Sequence, residues 1–148
     1  MIQPVLGFIA TIAFAIIYNV PKQALIPAGI IGAGALMIRH WAEQFGLNPV
    51  AGVFMGAFFV SVSSEVLARI QKLPGTVFIV SGILMLVPGM SALNTMRAFV
   101  QADYATGIAN ATQTLLMAGG VAAGLVLAGA LVRMDRRKQR VAQGQTDD

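Results

Sequence analysis

The residues best placed to do chemistry sit inside an otherwise apolar run. In LVPGMSALN, residues 86 to 94, Pro88 and Gly89 are followed by Ser91, Asn94 and Thr95, which fall on one face at helical spacing. Pro88 has no N–H, so the carbonyl of Leu84 loses its helical partner and the helix must kink or break. A plain proline kink is the simpler reading. The glycine and the polar face behind it favour a helix restart, with Pro88 at an early helical position and the N–H groups of Gly89, Met90 and Ser91 free to donate. A half-helix N-terminus carries roughly +0.5 of an elementary charge and suits a carboxylate or phosphate.

A second polar stripe lies further on. Thr106, Asn110, Gln113, Met117, Gly120, Gly124 and Ala128 recur at steps of three or four. Asn110 and Gln113 could bond across a helix interface or line a polar path, while Gly120 and Gly124 form GxxxG, a close-packing pattern. Gly52 and Gly56 repeat that spacing on the third apolar segment, next to Ser61 and Ser64. Glu65 is an acid among apolar residues, with Arg69 one turn on as its partner. It lies about 7 Å from the end of its helix, so an interfacial ion pair is favoured narrowly over a coupling or gating carboxylate. His40, beside Trp41 in an outer loop, is read as solvated and given no role.

These side chains need elements to carry them. The chain has 148 residues, 57% hydrophobic and 11% charged, with no cysteine. Such a composition belongs in a bilayer, and it offers no disulfide framework, thiolate metal site or cysteine nucleophile. No metal ligand set, catalytic residue or cofactor motif is read. A hydrocarbon layer of about 30 Å needs roughly 20 apolar residues per span. The fold expected is an all-α integral membrane protein, a bundle of about five transmembrane helices with one broken at Pro88 and Gly89. The spans are drawn at 2–20, 24–38, 49–70, 74–100 and 105–132, in one domain of residues 1–132 with a basic cytoplasmic tail at 133–148.

The segment 24–38 is the doubtful one. It is short and carries Pro27, Gly29, Gly32 and Gly34, so a tilted, broken or re-entrant course fits it. Charge arbitrates: with five spans and a cytoplasmic C-terminus, eight basic residues lie inside, and only Arg39 and Arg97 lie outside. The N-terminus is then external. The first segment lacks a basic leader region and a small-residue cleavage pattern, and is read as a retained span. Tyr18, Trp41 and Tyr104 fall at span ends as interface anchors. The basic run RMDRRKQR fits a lipid-facing cytoplasmic end better than nucleic acid. No internal repeat is evident, so a pseudo-symmetric half would come from another copy or another protein.

YNVPKQAL at 18–25, SSEVLARIQKLPGTVF at 63–78 and LVPGMSAL at 86–93 resemble, in order and spacing, the small subunit of the threonine/serine exporter superfamily in its split two-protein form, typified by a bacterial succinate exporter. The resemblance covers residues 1 to about 132. It implies an inner-membrane secondary exporter of small carboxylates or amino acids, without enzymatic chemistry, working with a larger five-span subunit. Pro88 and Gly89 match the family's break, and Asn19 and Pro21 its bend after the first span. Leu93 departs from it, since an aromatic often follows the break.

The reading reached is a transporter subunit with Pro88, Gly89, Met90, Ser91, Asn94, Asn110 and Gln113 around the substrate, Glu65 and Arg69 as coupling or gating candidates, and Gly52, Gly56, Gly120 and Gly124 for helix packing. The alternative is a membrane scaffold or assembly subunit without its own substrate site. An intramembrane enzyme using Glu65 or His40 ranks last, because the two lie near opposite membrane faces.

Overall fold

The computed structural model describes residues 2–142, and every regular element in them is an α-helix. α1 spans Ile2–Ile17, α2 Lys22–Gln44, α3 Pro49–Gln71, α4 Thr76–Ile83, α5 Gly89–Val100 and α6 Tyr104–Ala142.

Four of these helices stop in the same way. A residue in the left-handed region, Asn19, Gly46, Lys72 or Ala102, follows α1, α2, α3 or α5, with φ between 54° and 76°. The next N–H then reaches back five residues: Val20 to Ala15 at 2.9 Å, Leu47 to Ala42 at 3.0 Å, Leu73 to Ala68 at 3.2 Å and Asp103 to Ala98 at 3.0 Å. This is the Schellman closure, which satisfies carbonyls that a helix end leaves without partners. Pro21, Pro49 and Pro74 come two or three residues later and prevent the old helix from continuing. Polar caps start α3 and α6. Asn48 Oδ1 accepts the Val50 N–H at 3.0 Å with Pro49 at the first helical position. Asp103 Oδ1 accepts the Thr106 N–H at 3.2 Å. Hydrogen bonds from the Thr106 side chain, then from its backbone, hold the Asp103 carboxyl below its ordinary range.

α2 is one continuous helix of 23 residues, so the broken or re-entrant course considered for 24–38 does not occur. Pro27 sits in its second turn, where only the Gln23 carbonyl loses a partner. The glycines that suggested irregularity are packing notches. Gly29 receives Phe8 and Ile12 of α1, Gly32 receives Thr11, and Gly34 receives Phe59 of α3. Arg39, His40 and Trp41 therefore ride on the last turns of α2 rather than in a loop.

α3 is the centre of the bundle, touching α2, α4 and α6, while α1 lies on α2 and α5 on α6. Close approach is made possible by the GxxxG faces. A methyl added at Gly52 would lie 3.3 Å from the Arg39 carbonyl oxygen of α2. One at Gly120 would lie 3.1 Å from Val50 O, and one at Gly124 2.6 Å from Phe54 O. Ala24, Ala28, Ile31, Val53, Ala57, Val60 and Phe78, from α2, α3 and α4, belong to the buried core, with Ala57 set against Gly124 of α6. α2, α3 and the Tyr104–Val132 part of α6 are long and apolar enough to cross a membrane. α1, with 16 residues, reaches about 24 Å. α6 stays helical past Val132, through the basic run to Ala142.

Candidate functional site

α4 and α5 are the two halves of the interrupted fourth segment, and they pack on different neighbours. α4 lies in the groove of α2 and α3, with Phe78, Ser81 and Gly82 buried, whereas α5 rests on α6. Between them the chain turns sharply. Leu86 N–H donates to Ile83 O at 2.8 Å, a tight last turn, and the Leu86 side chain is fully buried. It fits over Gly56, where an added methyl would lie 2.9 Å from a Leu86 methyl and 3.2 Å from Ala35 O. Pro88 then adopts φ −76° and ψ 57°, an inverse γ-turn closed by Gly89 N–H on Val87 O at 2.8 Å. The first helical bond of α5 runs from Ala92 N–H to Pro88 O at 3.0 Å.

This geometry leaves polar backbone of both signs in one short stretch. Among the described residues, the carbonyls of Leu84, Met85 and Leu86 have no donor, and the N–H groups of Met90 and Ser91 have no acceptor. Pro88 cannot serve Leu84, Gly89 N–H is turned to Val87, and Met90 N–H is displaced from Leu86. The sequence reading gave three free donors; the γ-turn takes that of Gly89 and leaves two. Gly89 itself is exposed, and a methyl there would meet nothing within 4 Å. Nothing within the chain requires a glycine at this position.

The side chains proposed around the break are divided by the helix faces. Ser91, Thr95 and Ala98 form the edge of α5 against α6, with Ser91 Oγ 3.9 Å from Met117 Sδ. Thr95 Oγ1 donates to Ser91 O at 2.8 Å. Met90 and Asn94 are exposed on the other side of α5. On α6, Asn110 is half-buried and Met117 buried, but Thr106 and Gln113 are exposed. The inward row is Gly107, Asn110, Thr114, Met117, Val121, Gly124 and Ala128, an unbroken alternation of three and four. The stripe drawn from sequence strays from that row at Thr106, Gln113 and Gly120. Strict heptad spacing back from Ala128 was the signal that would have kept Gly107 and Thr114 in it.

Glu65 is half-buried on α3 and lines two cavities. One, of about 570 Å³, is shared with Ser61, Ile79, Leu125 and Gly129; the other, of about 530 Å³, with Arg69, Lys72 and Gly75. Arg69 is exposed. A methyl on Gly75 would lie 3.3 Å from Glu65 Oε2, so the start of α4 closes directly over this carboxylate. On the residue just before this carboxylate, the Ser64 hydroxyl is fully buried with no hydrogen-bond partner among the described residues, a costly arrangement for a polar group. Leu86 does not stand out in the sequence, since it sits in a run of similar residues, and Ser64 reads there only as part of a small packing face.

Comparison with known proteins gives a family. Residues 3–131 match the family described as Threonine/Serine exporter, ThrE. A curated protein named Threonine/serine exporter, from Corynebacterium glutamicum, is 29% identical over 136 residues, covering 90% of this chain and 27% of that one. The chain thus spans about a quarter of the length of that relative. No solved structure matches it. With three helices able to span a membrane and a family match over most of its length, this multi-pass membrane protein belongs to the threonine/serine exporter family.

Proposed function

We propose that the chain is the smaller part of a two-subunit secondary exporter of small amino acids or carboxylates in the bacterial inner membrane, with its N-terminus outside and its C-terminus cytoplasmic. The observation that carries the reading is the interruption between α4 and α5. Its unpaired N–H groups at Met90 and Ser91 lie at the positive end of α5 and suit a carboxylate. Its unpaired carbonyls at Leu84, Met85 and Leu86 suit an ammonium group. Gly89 leaves the approach open, and Ser91 and Asn110 lie along the α5–α6 edge.

Two observations support a larger partner. Asn94, Arg97 and Gln113 are exposed on the membrane helices α5 and α6, where lipid contact is costly. The curated relative is also several times longer than this chain, so a complementary part is available within the family. A second copy of this chain is the other occupant to test. Gly52, Gly56, Gly120 and Gly124 all pack inside the chain, so these glycine faces do not supply the contacts that a scaffold subunit would need with other proteins. Glu65, with Arg69 at the mouth of its second cavity, is the coupling or gating candidate on the cytoplasmic side. Transport in this form needs no covalent step.

The test is efflux of preloaded, labelled threonine and succinate from cells making this chain, the candidate large subunit, or both. Efflux only with both is expected. Absence of efflux of either solute in every combination overturns the proposal.

A further inference from the structure

Beside the break lies a third cavity, of about 370 Å³, within the range of roughly 300–1,000 Å³ typical of small-molecule sites. It is lined by Gly7 of α1, by Leu36, Arg39, His40 and Glu43 of α2, and by Met85. The roughly two turns of α2 that line it, Leu36 to Glu43, run from the level of the break to the C-terminal end of that helix. Met85 is also one of the residues whose carbonyl the break leaves unpaired. The cavity therefore joins the break to the end of the bundle proposed to face outside.

Among the described residues, its charges come from α2. Arg39 Nε lies 2.9 Å from Glu43 Oε1, and the two side chains are 28% and 37% exposed. An exposed pair of this kind, four residues apart on one helix, is weakly held. His40 Nε2 lies 3.0 Å from Gln44 Nε2, and among the described residues α1 contributes Leu6, Gly7 and Ala10. A solute that carries a carboxylate and an ammonium side by side can replace each member of the Arg39–Glu43 pair with its own opposite charge. A dicarboxylate satisfies Arg39 but meets Glu43 as a like charge.

Building on the exporter reading, we infer that this cavity is an outer vestibule for the departing solute, in which a zwitterionic amino acid is held between Arg39 and Glu43, and that their ion pair is its vacant state. The vestibule favours zwitterions over dicarboxylates at the exit.

The chain has no cysteine, so an introduced one is its single thiol, and labelling is read on this chain after separation from the large subunit. Met85→Cys, and separately Leu36→Cys, are introduced into the exporter assembled with its large subunit, and labelled from outside with a membrane-impermeant thiol reagent. Threonine is expected to slow labelling at least fivefold, and succinate at the same concentration less than twofold. Adding Arg39→Gln or Glu43→Gln is expected to abolish the threonine protection, with membrane levels unchanged, and Arg39→Lys to restore part of it. If neither cysteine is labelled from outside, or if protection persists in both glutamine variants, the vestibule is overturned. Labelling reads binding without transport. Lack of efflux by the unsubstituted pair therefore counts against the exporter reading, whereas normal efflux with protection indifferent to Arg39 and Glu43 counts against the vestibule.

Discussion

Gly89→Ala separates stability from transport in opposite directions. Gly89 opens α5, its φ is not positive, and the added methyl meets nothing within 4 Å. Alanine also restricts the unfolded chain and favours helix, so the variant should be more stable by a few tenths to about 1 kcal/mol. The same methyl stands where a solute would come against the N–H groups of Met90 and Ser91. A hydrogen bond to a charged group contributes about 1.5–3 kcal/mol, and about 1.4 kcal/mol corresponds to a tenfold change. Losing one such bond should cut threonine efflux roughly 10- to 100-fold. The assay pairs initial efflux rates at matched membrane levels with thermal unfolding of the purified protein in detergent. Efflux within twofold of the parent, at an unchanged melting temperature, removes the break as the binding site. A fall in both quantities shows that Gly89 has a packing role that the open space around it does not reveal.

Gly124→Ala should behave in the contrary sense, because its methyl would lie 2.6 Å from the Phe54 carbonyl, and backbone cannot give way cheaply. A loss of about 1–3 kcal/mol is expected, while Gly119→Ala, which meets nothing within 4 Å on the same helix, should be neutral or stabilising in the same unfolding assay. Ser64→Ala removes a buried hydroxyl without a partner and should leave stability unchanged or raise it by about 1 kcal/mol; a clear loss of stability shows that the hydroxyl has a partner, such as bound water. Asp103 caps α6 with a carboxyl held below the ordinary value of 3.8, so its contribution is complete above that pH and fades as pH falls through the lower folded value. The melting temperature of the parent should therefore drop more than that of Asp103→Asn as pH is lowered below about 3.8.

Much of the helix layout was legible because stops and starts are local chemistry. Asn19 with Pro21, Gly46 with Pro49, and Pro88 with Gly89 mark turns that any neighbouring structure would have to respect. The course of α2 was harder to read, since a glycine in a membrane helix looks the same whether it breaks the helix or receives Phe8 from a neighbour. Facing on α6 was misplaced by one position at Thr106 and Gln113, as a stripe with steps of three and four admits two registers and only α3 and α5 decide between them. Leu86 was invisible for a different reason. Its importance lies in fitting over Gly56 of another helix, a pairing across 30 positions that a single sequence does not encode locally. The pair of Arg39 and Glu43 was missed because the second span was ended at residue 38, and the cavity that gives the pair meaning exists only once α1 and Met85 are in place.

The change of neighbours at the break also sets an order of assembly during synthesis. α2 and α3 are made before α4, so the groove that takes Phe78 and Leu86 is ready when those residues emerge. α5 leans on α6, which is not yet made. As the ribosome passes Pro88, the nascent protein therefore moves from a part that docks at once to a part that must wait, with Ser91 and Thr95 uncovered until α6 follows. The interruption is thus a boundary in time as well as in space: α4 can dock on helices already made, whereas α5 waits for Tyr104 to Ala128.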